Sequence, residues 1–227
     1  MQVPTLSVIM PVLNEAPGLA AALQALQPLR ARGVQIIVVD GGSTDESAAC
    51  ACLYGVQVIH SARGRALQMN AGAQQANGDI LLFLHADTQL VLNADALIRQ
   101  ALAAGSAVWG RFDVRIVGKP RFLRVIAAFM NARSRWSGIA TGDQAMFMTR
   151  EAYLAVGGFP AQPLMEDIEM SVRMCKLSHP ACLRECVITS GRRWETHGVW
   201  STLVLMWRLR LAYWCGTTPE RLAALYR

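Results

Sequence analysis

The feature that most constrains this chain is an alternation of short buried-strand runs with stretches of helical period. Thr5 to Val12 is apolar and β-branched, and is bounded by Pro11 and Asn14-Glu15. After Pro17, which suits a helix's first turn, Leu19, Leu23, Leu26 and Leu29 recur at helical spacing. Gly33 then precedes Val34 to Val39, a second buried strand, so the first forty residues already read as a β-α-β unit. The pattern continues with a helix carrying Cys50 and Leu53, a strand over Val56 to Ile59, a helix over Ala66 to Ala76 and a strand over Ile80 to Leu84. Strands alternating with helices in this way imply a mostly parallel sheet with helices on both faces and right-handed crossovers. Ligands in such sheets bind outside the carboxyl ends of the strands. Asp40, Asp45, Arg63, Arg65 and Asp87 all fall at or just beyond such ends.

The second half continues with a helix over Asn93 to Ala104, a half-exposed strand over Ala107 to Val117 and a short strand over Ala145 to Thr149. Gly157-Gly158-Phe159-Pro160 is a turn, and Glu166-Asp167 opens a helix whose inward residues are expected to be Ile168, Val172 and Cys175. Arg121 to Trp136 is a basic amphipathic helix with Phe122, Val125, Ile126 and Phe129 on one face and Arg121, Arg124 and Arg133 off it. Such a helix packs on its own domain, lies on a membrane or covers an acceptor cleft.

At 227 residues and 53% hydrophobic composition the chain is long enough for one large α/β domain with a real core. No fixed-period repeat, low-complexity linker or transmembrane-length apolar run divides it. Met1 to Leu13 lacks a basic leader and carries Pro4 and Pro11, so the expectation is a cytoplasmic protein. The six cysteines lack paired metal or disulfide spacing and read as reduced core fillers.

The net charge of +6 is uneven, because six arginines against Glu195 and Glu220 between Arg192 and Arg227 hold +4 of it. A tail of that kind suits phosphates or an anionic membrane surface. No stacking-aromatic module or helix-turn-helix accompanies it, so nucleic acid is not an expected partner. Residues 1–198 read as the domain proper, and 199–227 as a C-terminal amphipathic helical segment. Trp200, Trp207, Tyr213 and Trp214 beside Arg208 and Arg210 suit the domain surface, a peripheral position on a membrane or a second subunit equally.

His85-Ala86-Asp87-Thr88-Gln89 stands directly after the apolar run Ile80 to Leu84 and looks like a cation-holding ledge at the sheet's carboxyl edge. Several further segments join it. Val12-Leu13-Asn14-Glu15, the turn Asp40-Gly-Gly-Ser-Thr-Asp45, Gly157-Gly158-Phe159 and Glu166-Asp167 occur in the order and spacing of family 2 glycosyltransferases. The chain resembles that family over about residues 5 to 195. Gly64 to Asn70, Gly142 to Phe147 and Arg192 to Gly198 are more narrowly similar to a small bacterial subgroup labelled as arsenosugar-biosynthesis or selenium-associated transferases.

The resemblance implies a GT-A nucleotide-diphospho-sugar fold and an inverting transfer assisted by Mn2+ or Mg2+. It implies donor contacts at Pro11, Asn14, Glu15, Asp40, Asp45 and Asn70, with Asp40 on the donor base, and pairing of Arg63 and Arg65 with the diphosphate. Asp87 matches the family's metal carboxylate, and Gln89 a third ligand of the polyprenyl-phosphate mannosyltransferase branch. Where the family usually has a first aspartate this chain has His85, which bonds the metal, the donor sugar or a water; His197 is a further metal or diphosphate candidate. Asp167 matches the general base, with Glu166 supporting it, and Asp143, Gln144, Arg193 and Trp194 fall on the acceptor side. Ser190 stands where processive synthases carry glutamine, which argues against polymer synthesis. A polyprenyl-phosphate sugar transferase and a non-catalytic sugar-nucleotide-binding adaptor are the rival readings; the acceptor is a small molecule or a lipid-linked one.

Overall fold

Every residue of β1 (Leu6–Val12) is buried, and its side chains alternate between two apolar layers: Val8, Met10 and Val12 face one, Ile9 the other. The computed structural model describes residues 3–226. The same alternation holds in β2 (Gln35–Asp40), where Ile36 and Val38 oppose Ile37 and Val39. A strand covered on both faces must be apolar on both, which is why these runs are nearly unbroken hydrophobes.

Between them α1 (Ala16–Ala31) has Pro17 in its first turn and buries Leu19, Leu23, Leu26 and Leu29. The chain continues through α2 (Ser47–Leu53), β3 (Gln57–His60), α3 (Arg65–Gln75), β4 (Ile80–Phe83), the two-residue β5 (Thr88–Gln89) and α4 (Ala94–Ala103). Then come β6 (Trp109–Val117), α5 (Leu123–Ser137), a single 3-10 turn at Gly142–Gln144, β7 (Phe147–Thr149), α6 (Arg150–Ala155) and α7 (Glu166–Cys175). β8 (Ala181–Ser190), α8 (Arg192–His197), α9 (Val199–Trp214) and α10 (Pro219–Tyr226) complete it.

All eight strands form one sheet in the order β3-β2-β1-β4-β7-β6-β8-β5. β1, β2, β3 and β4 pair in parallel, as do β6 and β8, while β7 is wedged antiparallel between β4 and β6, and β5 pairs antiparallel with β8. One face of the sheet is covered by α1, α2, α4 and α5, and the other by α3, α6 and α7. The fold is therefore α/β, with a mostly parallel sheet and helices on both faces. A third, smaller cluster joins Leu209 of α9 and Leu222 of α10 to Leu164 and Met165.

α3 lies close on the sheet because Gly72 has no side chain: a Cβ there would come within 2.4 Å of Ile9 Cγ2 and 2.9 Å of Val39 Cγ2. Both neighbours are β-branched strand residues and fully buried, so neither can swing away. Gly72→Ala is expected to cost about 1–3 kcal/mol as overpacking. Thermal unfolding checks this: each kcal/mol lowers Tm by about 2–4 °C in a domain this size.

Three local expectations differ from the structure. In α7 the buried stripe is Glu166, Met170 and Met174, while Val172 is exposed and Ile168 and Cys175 are half-buried. Two apolar stripes compete on that helix, and the one aligned with Glu166 wins. The four apolar residues in and just before α5 do not share a fate: Ile126 is buried, while Phe122, Val125 and Phe129 are exposed. β8 has no counterpart in the sequence reading, because Arg184-Glu185 interrupts its apolar pattern where the β6–β8 register shifts between Phe112 and Asp113.

Candidate active site

The loops after β1 and β2 are tied together by side chains at the carboxyl end of the sheet. Asn14, held at φ 55°, accepts the Thr44 N–H on Oδ1 (2.8 Å), and its own N–H is donated to Ser43 Oγ (3.0 Å). Asp45 accepts the N–H of Ala16 (3.1 Å) and that of Ser47 (3.0 Å), while Ser47 Oγ accepts from Glu15 N–H (2.9 Å). The hydrogen bond from Ser47 holds the Asp45 carboxyl below its ordinary pKa. Asp40, at the end of β2, accepts from the backbone N–H of Gly42 and Ser43 and lies 3.4 Å from His60 Nδ1. Burial works against its charge, but these bonds prevail and keep its pKa low. The result is a fixed anionic wall beside Pro11, with no backbone reorganisation needed to present it.

Two rim residues are already engaged. Glu15 receives Arg192 Nη2 on both carboxylate oxygens at 3.2 Å, which bridges α8 to the loop before α1. Asn70 accepts from Tyr153 Oη (2.7 Å) and Phe159 N–H (2.9 Å), and donates to the Phe159 carbonyl (2.8 Å). Its amide therefore anchors the Gly157-Gly158-Phe159 turn. Arg63 is exposed. Arg65 is directed to the other side of the cleft, with Nη1 3.7 Å from Glu166 Oε1.

That second side is a compact charged cluster. Asp167 is clamped, with Oδ2 accepting the Gly142 N–H (2.9 Å) and Oδ1 the Ile168 N–H (2.8 Å). One backbone donor on each oxygen orients the carboxylate and leaves each oxygen further accepting capacity. Glu166 beside it is only 4% exposed. Burial and then the Asp167 charge push its pKa up, against the pull of Arg65 and His85. His85 Nδ1 stands 3.3 Å from Asp143 Oδ1. Its ring lies against Gly142, where a Cβ would come within 2.3 Å of Cε1 and 2.4 Å of Nε2. Crowding alone would raise Asp143, but the bond to His85 and the charges of His85, Arg65 and Arg193 hold it low. Crowding likewise works against the half-exposed Arg65, and the surrounding Glu166, Tyr226, Asp143 and Asp167 raise it. A small cavity of about 10 Å³ lies among Met69, Phe83, His85, Gly142, Glu166 and Asp167.

The metal candidates do not converge. Asp87 and Gln89 are exposed on the rim, His85 is committed to Asp143 and Gly142, and His197 is exposed at the end of α8. Among the described residues no group of three or more His, Cys, Asp or Glu forms a metal cage. One exposed carboxylate fits an ion that takes its remaining ligands from a diphosphate and water, the usual habit of Mg2+.

The Glycosyl transferase family 2 profile matches residues 7–158. The chain belongs to this family. It is a glycosyltransferase. Among its family 2 relatives is an uncharacterized glycosyltransferase of Mycobacterium tuberculosis, 30% identical over 210 residues that cover 87% of this chain and 78% of the relative. Similar solved structures include the mannosyltransferase PcManGT from Pyrobaculum calidifontis in complex with GDP-Man and Mn2+, at TM-score 0.65 and 20% identity over 93% of this chain. The chain spans 62% of that protein. Glucosyl-3-phosphoglycerate synthase from Mycobacterium tuberculosis, in complex with Mn2+, UDP and phosphoglyceric acid, matches at TM-score 0.61 and 18% identity over 81% of this chain and 68% of its own. These likenesses establish the GT-A fold.

Within this family 2 enzyme three side chains sit differently from their expected place. Gln144 is fully buried, its Oε1 accepting the Thr141 N–H (3.2 Å) and its Nε2 directed to Asn131 Oδ1 (3.4 Å); it closes the 3-10 turn, and Asp143 alone of that pair stays at the cleft. Arg193 and Trp194 diverge, Trp194 packing on the core and Arg193 stacking at 3.8 Å over the ring of Tyr226. One charged residue near the site was given no role there by the sequence reading. Nε and Nη2 of Arg133, on α5, are buried without a hydrogen-bond partner among the described residues. Burial lowers its pKa against the attraction of Asp167, which places the two in electrostatic reach. Only its position on the polar side of an amphipathic helix was visible beforehand.

Proposed function

We propose that the enzyme transfers a sugar from a nucleotide-diphospho-sugar to an acceptor with inversion at the anomeric carbon. The observation that carries this reading is the clamped Asp167 facing the cleft opposite the Asp40–Asp45 wall. The donor nucleotide lies along Pro11, Asn14, Asp40 and Asp45, its base N–H groups meeting the Asp40 carboxylate. Its diphosphate reaches the rim at Asp87, where Asp87 and Gln89 are exposed. Asp87 would hold a Mn2+ or Mg2+ ion there, and such an ion, when bound, offsets charge on the departing diphosphate. The complexes of PcManGT with GDP-Man and Mn2+ and of the synthase with UDP and Mn2+ support this donor and ion class.

On the opposite side Asp167 takes the proton from the acceptor hydroxyl, which attacks the anomeric carbon from the face away from the leaving diphosphate. Glu166 and Arg65 fix the local charge, and the His85–Asp143 pair supports the Gly142 N–H that aims Asp167. Two guanidinium nitrogens of Arg133, within the field of this base, have no hydrogen-bond partner among the described residues, and an acceptor carrying a carboxylate or phosphate would supply one.

Nucleotide release from UDP-, GDP- and dTDP-sugars, with Mn2+, Mg2+ or chelator, tests the reading. Turnover is expected with one donor class, abolished by chelator and reduced at least about tenfold in Asp87→Ala. Phosphorylated or carboxylated alcohols are expected to accept sugar in preference to neutral ones. Full turnover in chelator, or nucleotide binding with no turnover on any donor and acceptor pair, would overturn it in favour of a metal-independent enzyme or a binding protein.

A further inference from the structure

α5 and α9 present one continuous apolar surface that the catalytic reading does not use. On α9 the exposed large residues are Trp200, Val204, Trp207, Leu211 and Trp214, with Trp207 at 74% and Trp214 at 88%. Successive helix residues are about 100° apart, so these five fall within an arc of about 80°. Arg208 and Arg210 stand about 80° to either side of the arc's centre. Leu209, on the opposite side of the helix, is buried against Leu164 and Met165, the two residues before Glu166.

On α5, Val125, Phe129 at 73% and Trp136 at 90% continue the surface, and Phe122 just before it contacts Trp200 with ring centroids 5.4 Å apart. That ring pair joins the two helices into one face. Arg121 and Arg124 are exposed at its α5 end. Neither helix contains a single Asp or Glu.

From this geometry we infer that the α5–α9 face docks the enzyme on an anionic lipid surface, α9 lying in the plane of the interface. Tryptophans flanked by arginines match the two layers of a headgroup region: rings at the acyl boundary, guanidinium groups among the phosphates. Among the described residues no helix is long and apolar enough to cross a membrane, and the contact inferred is a peripheral one. Charge decides between occupants. A second copy of this chain meeting the first through the same face would set arginines against arginines with no acid on either helix to relieve them, whereas anionic headgroups supply the missing sign. The inference stands apart from the donor and metal assignments. The face backs directly onto the residues that lead into Glu166 and Asp167, so a docked enzyme would hold its base helix next to the surface.

Co-sedimentation of the full chain with vesicles of phosphatidylcholine alone, and of phosphatidylcholine with phosphatidylglycerol, tests it. The protein is expected to pellet with the anionic vesicles only, with a blue shift of tryptophan emission. Trp207→Ser with Trp214→Ser is expected to weaken binding about tenfold or more. Arg208→Gln and Arg210→Gln are each expected to weaken it about fivefold. These side chains lie outside the cleft, so melting temperature and donor turnover in solution stay at wild-type values and report that the variants are folded. Wild-type protein left in the supernatant with both vesicle types overturns the inference. So does equal pelleting of the tryptophan variant, or a dimer in ultracentrifugation that the same substitutions dissolve without any vesicle binding.

Discussion

An Asp167→Asn enzyme is expected to lose about a hundredfold to ten-thousandfold in kcat while binding donor nucleotide as before. The amide cannot take the acceptor's proton, and it also fits the clamp badly. Two backbone N–H groups, of Gly142 and Ile168, each face a separate carboxylate oxygen. Asparagine offers one oxygen and one NH2, so one N–H must face another donor. That mismatch costs about 1–3 kcal/mol, and a fall in Tm of about 2–4 °C per kcal/mol should accompany the lost activity. Steady-state kinetics beside calorimetry separates the effects: a structural role alone would lower Tm with kcat of the surviving folded protein unchanged.

Glu166→Gln is expected to do the opposite to stability. Its carboxyl is nearly fully buried, and burial together with the Asp167 charge raises its pKa above the ordinary 4.5. The folded state therefore holds this proton more tightly than the unfolded chain, and the native protein loses stability as pH rises from about 4.5 through the raised folded value. Below that window the two proteins should melt alike, because the glutamate is protonated in both states. Above it, at neutral pH, the glutamine protein should melt higher, by about 2–4 °C if the gain is about 1 kcal/mol. Activity should fall, since Arg65 loses the charge nearest to it, at 3.7 Å. Thermal melts of both proteins from acid to neutral pH test this, and parallel curves across the whole range would contradict it. Stability given up next to a base is the expected signature of a functional site.

The legible part of this molecule is the part written in local periodicity. β1, α1, β2, α3 and β4 follow from runs of two-sided apolar residues set against leucines at helical spacing. Asp40 and Asp87 were legible as well, because a carboxylate just past a buried run has to stand at a strand's end. The arrangement of the second half was not. Wedging β7 antiparallel between β4 and β6, and pairing β8 with β6, depend on contacts between residues far apart in sequence. The same holds for side chains whose partners come from elsewhere: Asn70 on Phe159, Glu15 on Arg192 and Gln144 on Asn131. Arg133 was hidden for a further reason. An arginine on the polar side of an amphipathic helix looks solvated until the folded chain buries part of its guanidinium, and Trp136 looks buried until it is found exposed.

The account rests on a donor nucleotide held at the Asp40 wall and the Asp87 rim, with Asp167 serving the acceptor across the cleft. Thermal-shift titration with UDP, GDP and dTDP, with and without Mn2+, on wild type, Asp40→Asn, Asp87→Ala and Asp167→Asn tests this most directly, since a ligand that binds only the folded state raises Tm by mass action. The expected pattern is a Mn2+-dependent stabilisation of wild type by one nucleotide, retained in full by Asp167→Asn and lost in Asp40→Asn and Asp87→Ala. Equal stabilisation of all four proteins by the same nucleotide would place the donor elsewhere and contradict the assignment.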